Sequence, residues 1–405
     1  MSAASVVPVL DFSLVHTPQG RQAFLDSMLA ALRDVGLFYL KNHPVQASLF
    51  EEARQECDAF FSLPDVDKAE IDIANVPSFL GYTKVRDPHC SPEVHAKEAS
   101  LVQLGSEVTA NRTDWREHLT ISTPHPAPTG GPAYLNLLAP NQWPSADRLP
   151  TFRTVYERWI EQVSDVSNTM RNLVSEAMGI DPELVSRFFQ NQQHRLRLMK
   201  YPEIPSSQAT SKDQVGLGAH RDKGFSTLIF QASPHRCLQV QTREGRWTDA
   251  PPLDHTFVFI AGQALEAMTH GICKAPWHRV VTPPPGLGPR YSIAVGTGIG
   301  MDTAVAAKET QEALNKLRDD ILQRFPDARD EFRTFLAGTR DGESVGTQYL
   351  AQYLASHPDI AIRWVSVPLV CPYYENSRAD DPRPSVGLFS IHSIPPLLAK
   401  YNAVS

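Results

Sequence analysis

The sequence predicts a mixed α and β protein, an antiparallel barrel or jelly roll with helices on its flanks and a helical C-terminal extension. Three observations carry this. Between about Arg195 and Val295 the chain breaks into strand-like runs of five to eight residues with turns between them. On either side of that block, apolar residues recur at helical spacing. No internal repeat or linker divides the 405 residues, so the parts are expected to pack as one body.

The elements follow in order. "VPVLDFS" reads as a short strand. "GRQAFLDSMLAALRDVG" is a helix with Phe24, Met28, Leu29 and Leu32 on one stripe, stopped by Gly36. "LFYLKNH" is a strand ended by Pro44, and "ASLFEEARQECDAFFSLP" is a second amphipathic helix closed by Pro64. Residues 83–150 are rich in Pro, His, Ser and Thr and read as irregular, turn-dominated chain. A long helix is expected over Phe152–Met178. The strand block then reads "RLRLMKYP", "GLGAHRD", "FSTLIFQ", "LQVQTREGRWTDAPP", "TFVFIAG", "KAPWHRVVTPP" and "RYSIAVG". After Asp302 two helical stretches follow, "AAKETQEALNKLRDDILQRF" and "SVGTQYLAQYLASHP", before a Pro-rich end. The expected division is 1–150 as an N-terminal region, 151–300 as the core with its preceding helix, and 301–405 as an extension that covers the barrel mouth, mediates dimerisation or packs outside.

Composition narrows the function classes. With 20% charged and 42% hydrophobic residues the profile is that of a soluble globular protein. The net charge of −7 comes without a basic stripe, which argues against nucleic acid as a partner. No apolar run approaches the ~20 residues that span a bilayer. The start "MSAASVVPVLDFS" lacks a basic n-region, and the five cysteines are scattered without C-x-x-C pairing. A cytoplasmic monomer or homodimer is the expectation.

The chemistry sits in three short motifs. In "GLGAHRDKGF", His220 and Asp222 stand two apart, so on a strand they share a face. In "KAPWHRVV", His278 is flanked by apolar residues. An isolated histidine or H-x-D is more often structural. Together the three make a 2-His-1-carboxylate donor set, the pattern of non-haem Fe(II) oxygenases, although zinc accepts the same ligands. The third motif is "GPRYSIAV". Arg290 and Ser292 again share a face, on what is expected to be the strand beside His278. A guanidinium next to a hydroxyl suits a carboxylate clamp. A small dicarboxylate would then bridge the metal and Arg290.

The order H-x-D, HRV, R-x-S resembles the 2-oxoglutarate- and Fe(II)-dependent dioxygenases of the isopenicillin N synthase-like group. The resemblance covers roughly residues 6–300 and includes "VPVLDFS", "DVGLFYLKNHPV", "FFSLPDVDK", "GYTKV" and "TDWREHL". It implies a double-stranded β-helix (jelly-roll) core. It implies His220, Asp222 and His278 as Fe(II) ligands and Arg290 and Ser292 on the distal carboxylate of 2-oxoglutarate. Tyr201 matches a tyrosine that often contacts the same cosubstrate. The chain departs from the pattern at Met199, where many relatives carry asparagine, and at Arg221 and Lys223. The implied activity is O2-dependent oxidation of a small molecule by hydroxylation, desaturation or rearrangement, with succinate and CO2 released, plausible in specialised metabolism. Retention of Asp222 favours these over halogenation. By analogy, Tyr82, Lys84, Lys223 and Phe230 are candidate substrate contacts. The rivals are an Fe(II)/O2 oxidase of the same fold that uses no 2-oxoglutarate, a non-catalytic binding protein on the same barrel, and a zinc hydrolase.

Overall fold

A computed structural model describes residues 7–85, 115–203, 215–304, 307–326, 328 and 344–357, together with 360, 363 and 364. Twelve strands form two sheets among the described residues. They are β1 (Val9–Asp11), β2 (Leu37–Lys41), β3 (Gly81–Thr83), β4 (Glu117–Ser122), β5 (His194–Tyr201), β6 (Val215–His220), β7 (Ser226–Phe230), β8 (Leu238–Gln241), β9 (Trp247–Asp249), β10 (Phe257–Ala261), β11 (His278–Val281) and β12 (Arg290–Thr297). The larger sheet runs β1-β2-β10-β7-β12-β5-β4-β3, and the smaller runs β6-β11-β8-β9. All pairings are antiparallel except β1 with β2. The two sheets face one another as a jelly roll.

Every strand expected between Arg195 and Val295 is present. Two were not expected, β3 and β4. Of the chain read as irregular from 83 to 150, residues 86–114 lie outside the described residues. β4 joins β5 along its whole length, from Glu117↔Lys200 to Ser122↔Arg195. Its six residues, "EHLTIS", are a half-polar strand whose membership depends on the neighbour that completes its hydrogen bonds.

Helices flank the sheets. They are α1 (Pro18–Asp34), α2 (Ala47–Ser62), α3 (Asp65–Ala69), α4 (Phe152–Met178), α5 (Pro182–Ser186), α6 (Gln263–Met268), α7 (Lys308–Arg324) and α8 (Val345–Ser356). α4 has the bounds expected from its periodicity. It ends where Gly179 adopts a left-handed φ of 71°, which glycine reaches without a Cβ penalty. Its buried stripe carries Trp159, fully enclosed against Phe50, Phe230 and Phe257. One apolar cluster runs from Leu10 to Val345, and so ties helices from both ends of the chain to the sheet. A second cluster, with Tyr39, Met199, Tyr201, Ile229, Val240 and Val280, fills the space between the sheets. Among the described residues, no helix is long and apolar enough to cross a membrane.

α8 packs on the short helical turn Ala133–Leu137 and stacks Tyr353 on Phe79 at 5.0 Å between ring centres. This puts the extension along the β3–β4–β5 edge of the larger sheet.

Candidate metal and cosubstrate site

The two histidines come together across a strand pair. β6 and β11 place His220 directly opposite His278, with ring centres 4.2 Å apart. Each ring nitrogen Nδ1 faces a backbone carbonyl two residues back, Gly218 O at 2.9 Å and Pro276 O at 3.2 Å. That contact fixes the tautomer and leaves both Nε2 lone pairs directed at one point. Asp222 Oδ1 lies 3.6 Å from His220 Nε2 and 3.8 Å from His278 Nε2. The donor atoms of all three residues fall within 4.8 Å of one another. Two neutral imidazoles and a carboxylate in this arrangement fit a divalent ion of the Fe(II) type.

Asp222 reaches this point by a route that strand alternation does not describe. β6 ends at His220, so Asp222 belongs to the following loop. Its Oδ2 accepts a 2.6 Å hydrogen bond from Thr227 Oγ1 on β7, and its carbonyl accepts from Gln263 N on α6 at 2.7 Å. Burial would raise its pKa. The imidazoles of His278 and His220 and the Thr227 hydroxyl outweigh that and hold the carboxyl well below the usual range. Burial, with His220 adding to it, pushes His278 down to about 4, which keeps its ring neutral and available as a ligand.

The loop itself is clamped. Arg221 turns away from the donor set, pairing with Glu266 and donating to Ala275 O at 2.9 Å. Gly262 lies so close that a Cβ there would meet Gly224 O at 1.9 Å. Thus Arg221, an unusual residue inside the H-x-D motif, acts as a tether on the outer side of the loop. Lys223 follows Asp222 and is partly buried.

Arg290 and Ser292 do share an inward face, as the sequence reading expected. The strand beside them differs, however. β12 pairs with β5 and β7 in the larger sheet, while His278 lies in the smaller one. The clamp therefore faces the metal donors from the opposite sheet. Arg290 is 1% exposed, and no carboxylate among the described residues pairs with it. Nη1 donates to Ser292 Oγ at 3.3 Å, Nη2 to Gln231 Oε1 at 3.4 Å, and Nε has no partner. Tyr201, directly opposite on β5, lies under the guanidinium at 4.9 Å and donates its hydroxyl to Met199 Sδ at 3.3 Å. Thus the methionine at this departure from the pattern serves as an acceptor for the tyrosine. A buried, unpaired guanidinium is costly unless an anion completes it.

Three of the expected substrate contacts are placed elsewhere. Tyr82 faces outward from β3, packs near Phe60 and donates to Glu117 Oε2 at 2.6 Å. Lys84 is exposed and pairs with Asp65 at 2.7 Å. Phe230 points to the helical side, against Phe50 and Trp159, and borders an outer cleft with Phe50 and His255. All three lie on the wrong parity: the inner rows run through Gly81, Thr120, Arg197, Ala294 and Ile229. Sequence reasoning missed Thr227 and Gln231, which hold Asp222 and Arg290. The alternation in "STLIFQ" puts Thr227, Ile229 and Gln231 on one face, and that signal was readable.

Comparison with known proteins agrees with the geometry. Residues 7–146 match the family described as "non-haem dioxygenase in morphine synthesis N-terminal", and residues 189–297 match the "2OG-Fe(II) oxygenase superfamily". The chain is similar to the 2-oxoglutarate-dependent dioxygenase frbJ of Dothideomycetidae sp., 38% identical over 365 residues, covering 89% of this chain and 92% of the relative. It is 27% identical to a homoarginine-6-hydroxylase of Glycine max, covering 76% of this chain and 90% of the relative. A Neurospora crassa protein solved with alpha-KG and 5-formyluracil superposes with a TM-score of 0.63 at 25% identity, covering 88% of this chain and 98% of that one. The chain belongs to the 2-oxoglutarate- and Fe(II)-dependent dioxygenases.

Proposed function

We propose that His220, Asp222 and His278 hold the Fe(II) of this enzyme and that Arg290 and Ser292 hold the distal carboxylate of 2-oxoglutarate. The enzyme oxidises a small-molecule substrate with O2 and releases succinate and CO2. The observation that carries the residue assignment is the buried Arg290, whose charge no carboxylate among the described residues answers. Bound at the three donors, Fe(II) supplies the oxidative chemistry that O2 and cosubstrate decarboxylation drive. The protein's own contribution is positional. Carbonyls of Gly218 and Pro276 aim the imidazoles, Thr227 fixes the carboxylate, and Tyr201 supports the guanidinium. The apolar packing of Ile229, Val240 and Val280 between the sheets keeps water from the cosubstrate end.

Anaerobic titration with Fe(II) and 2-oxoglutarate tests the assignment. Bidentate chelation gives a weak visible metal-to-ligand charge-transfer band. The band should be absent in His278→Ala, and in Arg290→Gln it should require far more 2-oxoglutarate. A His278→Ala variant that binds iron normally removes this residue from the ligand set. Lys223 is proposed as a substrate contact from its place beside Asp222, and Lys223→Ala should then raise the substrate KM without lowering iron content.

A further inference from the structure

The inner face of the larger sheet carries a third polar region, separate from the metal donors and from Arg290. β5 sends Arg195, Arg197, Met199 and Tyr201 inward. Register places Arg197 opposite Ala294 and Arg195 opposite Gly296, while on the far side of β12 Thr227 stands opposite Gly296. Thr227 is the residue that holds the Asp222 carboxylate. One row across the sheet therefore reads Arg195, Gly296, Thr227, and the next reads Arg197, Ala294, Ile229.

The residues between the arginines and the metal-ligand carboxylate are a glycine and an alanine. A Cβ on Gly296 would meet nothing nearer than Arg195 O at 3.9 Å and Thr227 Oγ1 at 4.0 Å. Packing does not demand glycine there, so its smallness leaves room inside the barrel. β5 and β7 are two strand spacings apart, about 10 Å.

No carboxylate among the described residues answers the charges on this wall. Arg197 is exposed although it stands on the inner face, and no carboxylate among the described residues pairs with it. Arg195 is fixed by Gln193 Oε1 at 2.7 Å, Ser78 O at 3.1 Å and Leu137 O at 3.3 Å, and its Nη1 is buried with no hydrogen-bond partner. Tyr353 of α8 lies against this wall, its ring 4.7 Å from the Arg195 guanidinium; burial would raise its phenol pKa, but the charges of Arg195 and Arg197 outweigh that and lower it. Two cations sharing one phenol leave a positive pole facing the space above the metal donors.

We propose that this pole binds the carboxylate of an acidic substrate. Arg197 is its ion-pair partner, Arg195 Nη1 donates a second hydrogen bond, and the C-terminal extension takes part through Tyr353. The proposal deepens the function given above and rests on Arg290 being occupied by the cosubstrate.

The test separates the two readings. Protein loaded anaerobically with Fe(II) and 2-oxoglutarate is titrated with L-arginine, N-acetyl-L-leucine and 4-phenylbutyrate, each against its own primary amide. Perturbation of the charge-transfer band and the thermal midpoint report binding. If the band never forms, the cosubstrate assignment fails, and the same titration followed by thermal midpoint alone still reads the acid preference. At least one acid should bind about tenfold or more tightly than its amide, as expected for a charge-assisted contact. Arg197→Gln should lose that preference while keeping the band, Arg197→Lys should keep part of it, and Tyr353→Phe should weaken it less than Arg197→Gln does. Acids and amides binding alike, no acid binding at all, or an Arg197→Gln variant with the preference intact would overturn the proposal.

Discussion

Thr227 and Arg290 show how much the chemistry depends on single contacts. Thr227→Val keeps the volume and removes the hydroxyl on Asp222 Oδ2. Loss of such a support should weaken iron binding about 10- to 100-fold, measured by metal titration, with the fold intact by circular dichroism. Unchanged affinity would mean the two imidazoles and the loop backbone suffice to orient the carboxylate. Arg290→Gln removes a charge-assisted contact worth about 1.5–3 kcal/mol, so the 2-oxoglutarate KM should rise roughly 10- to 100-fold while iron binding persists. The donor set was legible in the sequence because two histidines and an aspartate are a scarce combination; strand alternation did not hold for His220 and Asp222, since Asp222 lies on the loop after β6. The Arg290 and Ser292 pair was legible because i and i+2 of one strand share a face. Tyr82, Lys84 and Phe230 were misplaced for the same reason in reverse. Their parity depends on the register of β3 with β4 and of β7 with β12, and register is fixed by partners distant in the chain.

At the level of elements, the loop between β6 and β7 is the critical piece. Its shape is imposed by the N-terminal end of α6, through Gly262 N to Phe225 O at 2.9 Å and Gln263 N to Asp222 O at 2.7 Å. Gly262→Ala would drive a Cβ into the Gly224 carbonyl. The loop must then shift, and the substitution should cost about 1–3 kcal/mol of stability and lower iron affinity with it. Gly296→Ala, where the added methyl meets only ordinary contacts, should leave the melting temperature nearly unchanged. Equal stability of the two variants would refute the clamp. Helices were the most legible elements, since α1, α2 and α4 carry their buried stripe in their own periodicity. β3 and β4 were not, being short and half-polar, with hydrogen bonds completed only by β5.

Over the whole molecule, burial also sets the acid response. Burial pushes the pKa of both His43 and His194 down to about 4, below the ordinary 6.5, with the Arg171 charge adding to it at His194. The native state thus binds fewer protons than the unfolded chain between those values. Stability should be intact above about pH 6.5 and fall as the pH drops toward 4, by about 1.4 kcal/mol per pH unit for each fully contributing group. His43→Phe, which keeps the stack on Phe50 and Phe257, should flatten this slope in denaturant unfolding of the metal-free protein. A slope identical to that of the parent would exclude His43 as a source. The larger body also explains the extension. α8 does not stand apart, because Tyr353 reaches Arg195 and Phe79 along the edge of the sheet.

By itself the sequence determined the order of elements, the barrel class and the residues proposed as donors and carboxylate clamp, His220, Asp222, His278, Arg290 and Ser292. These follow from local periodicity and from residue types whose chemistry is scarce. Only the tertiary structure decided that the clamp faces the metal donors from the other sheet, that Asp222 is set by Thr227 and α6, and that Arg195, Arg197 and Tyr353 meet at one wall. Those facts depend on strand register and sheet closure, which are settled by contacts between residues far apart in the chain.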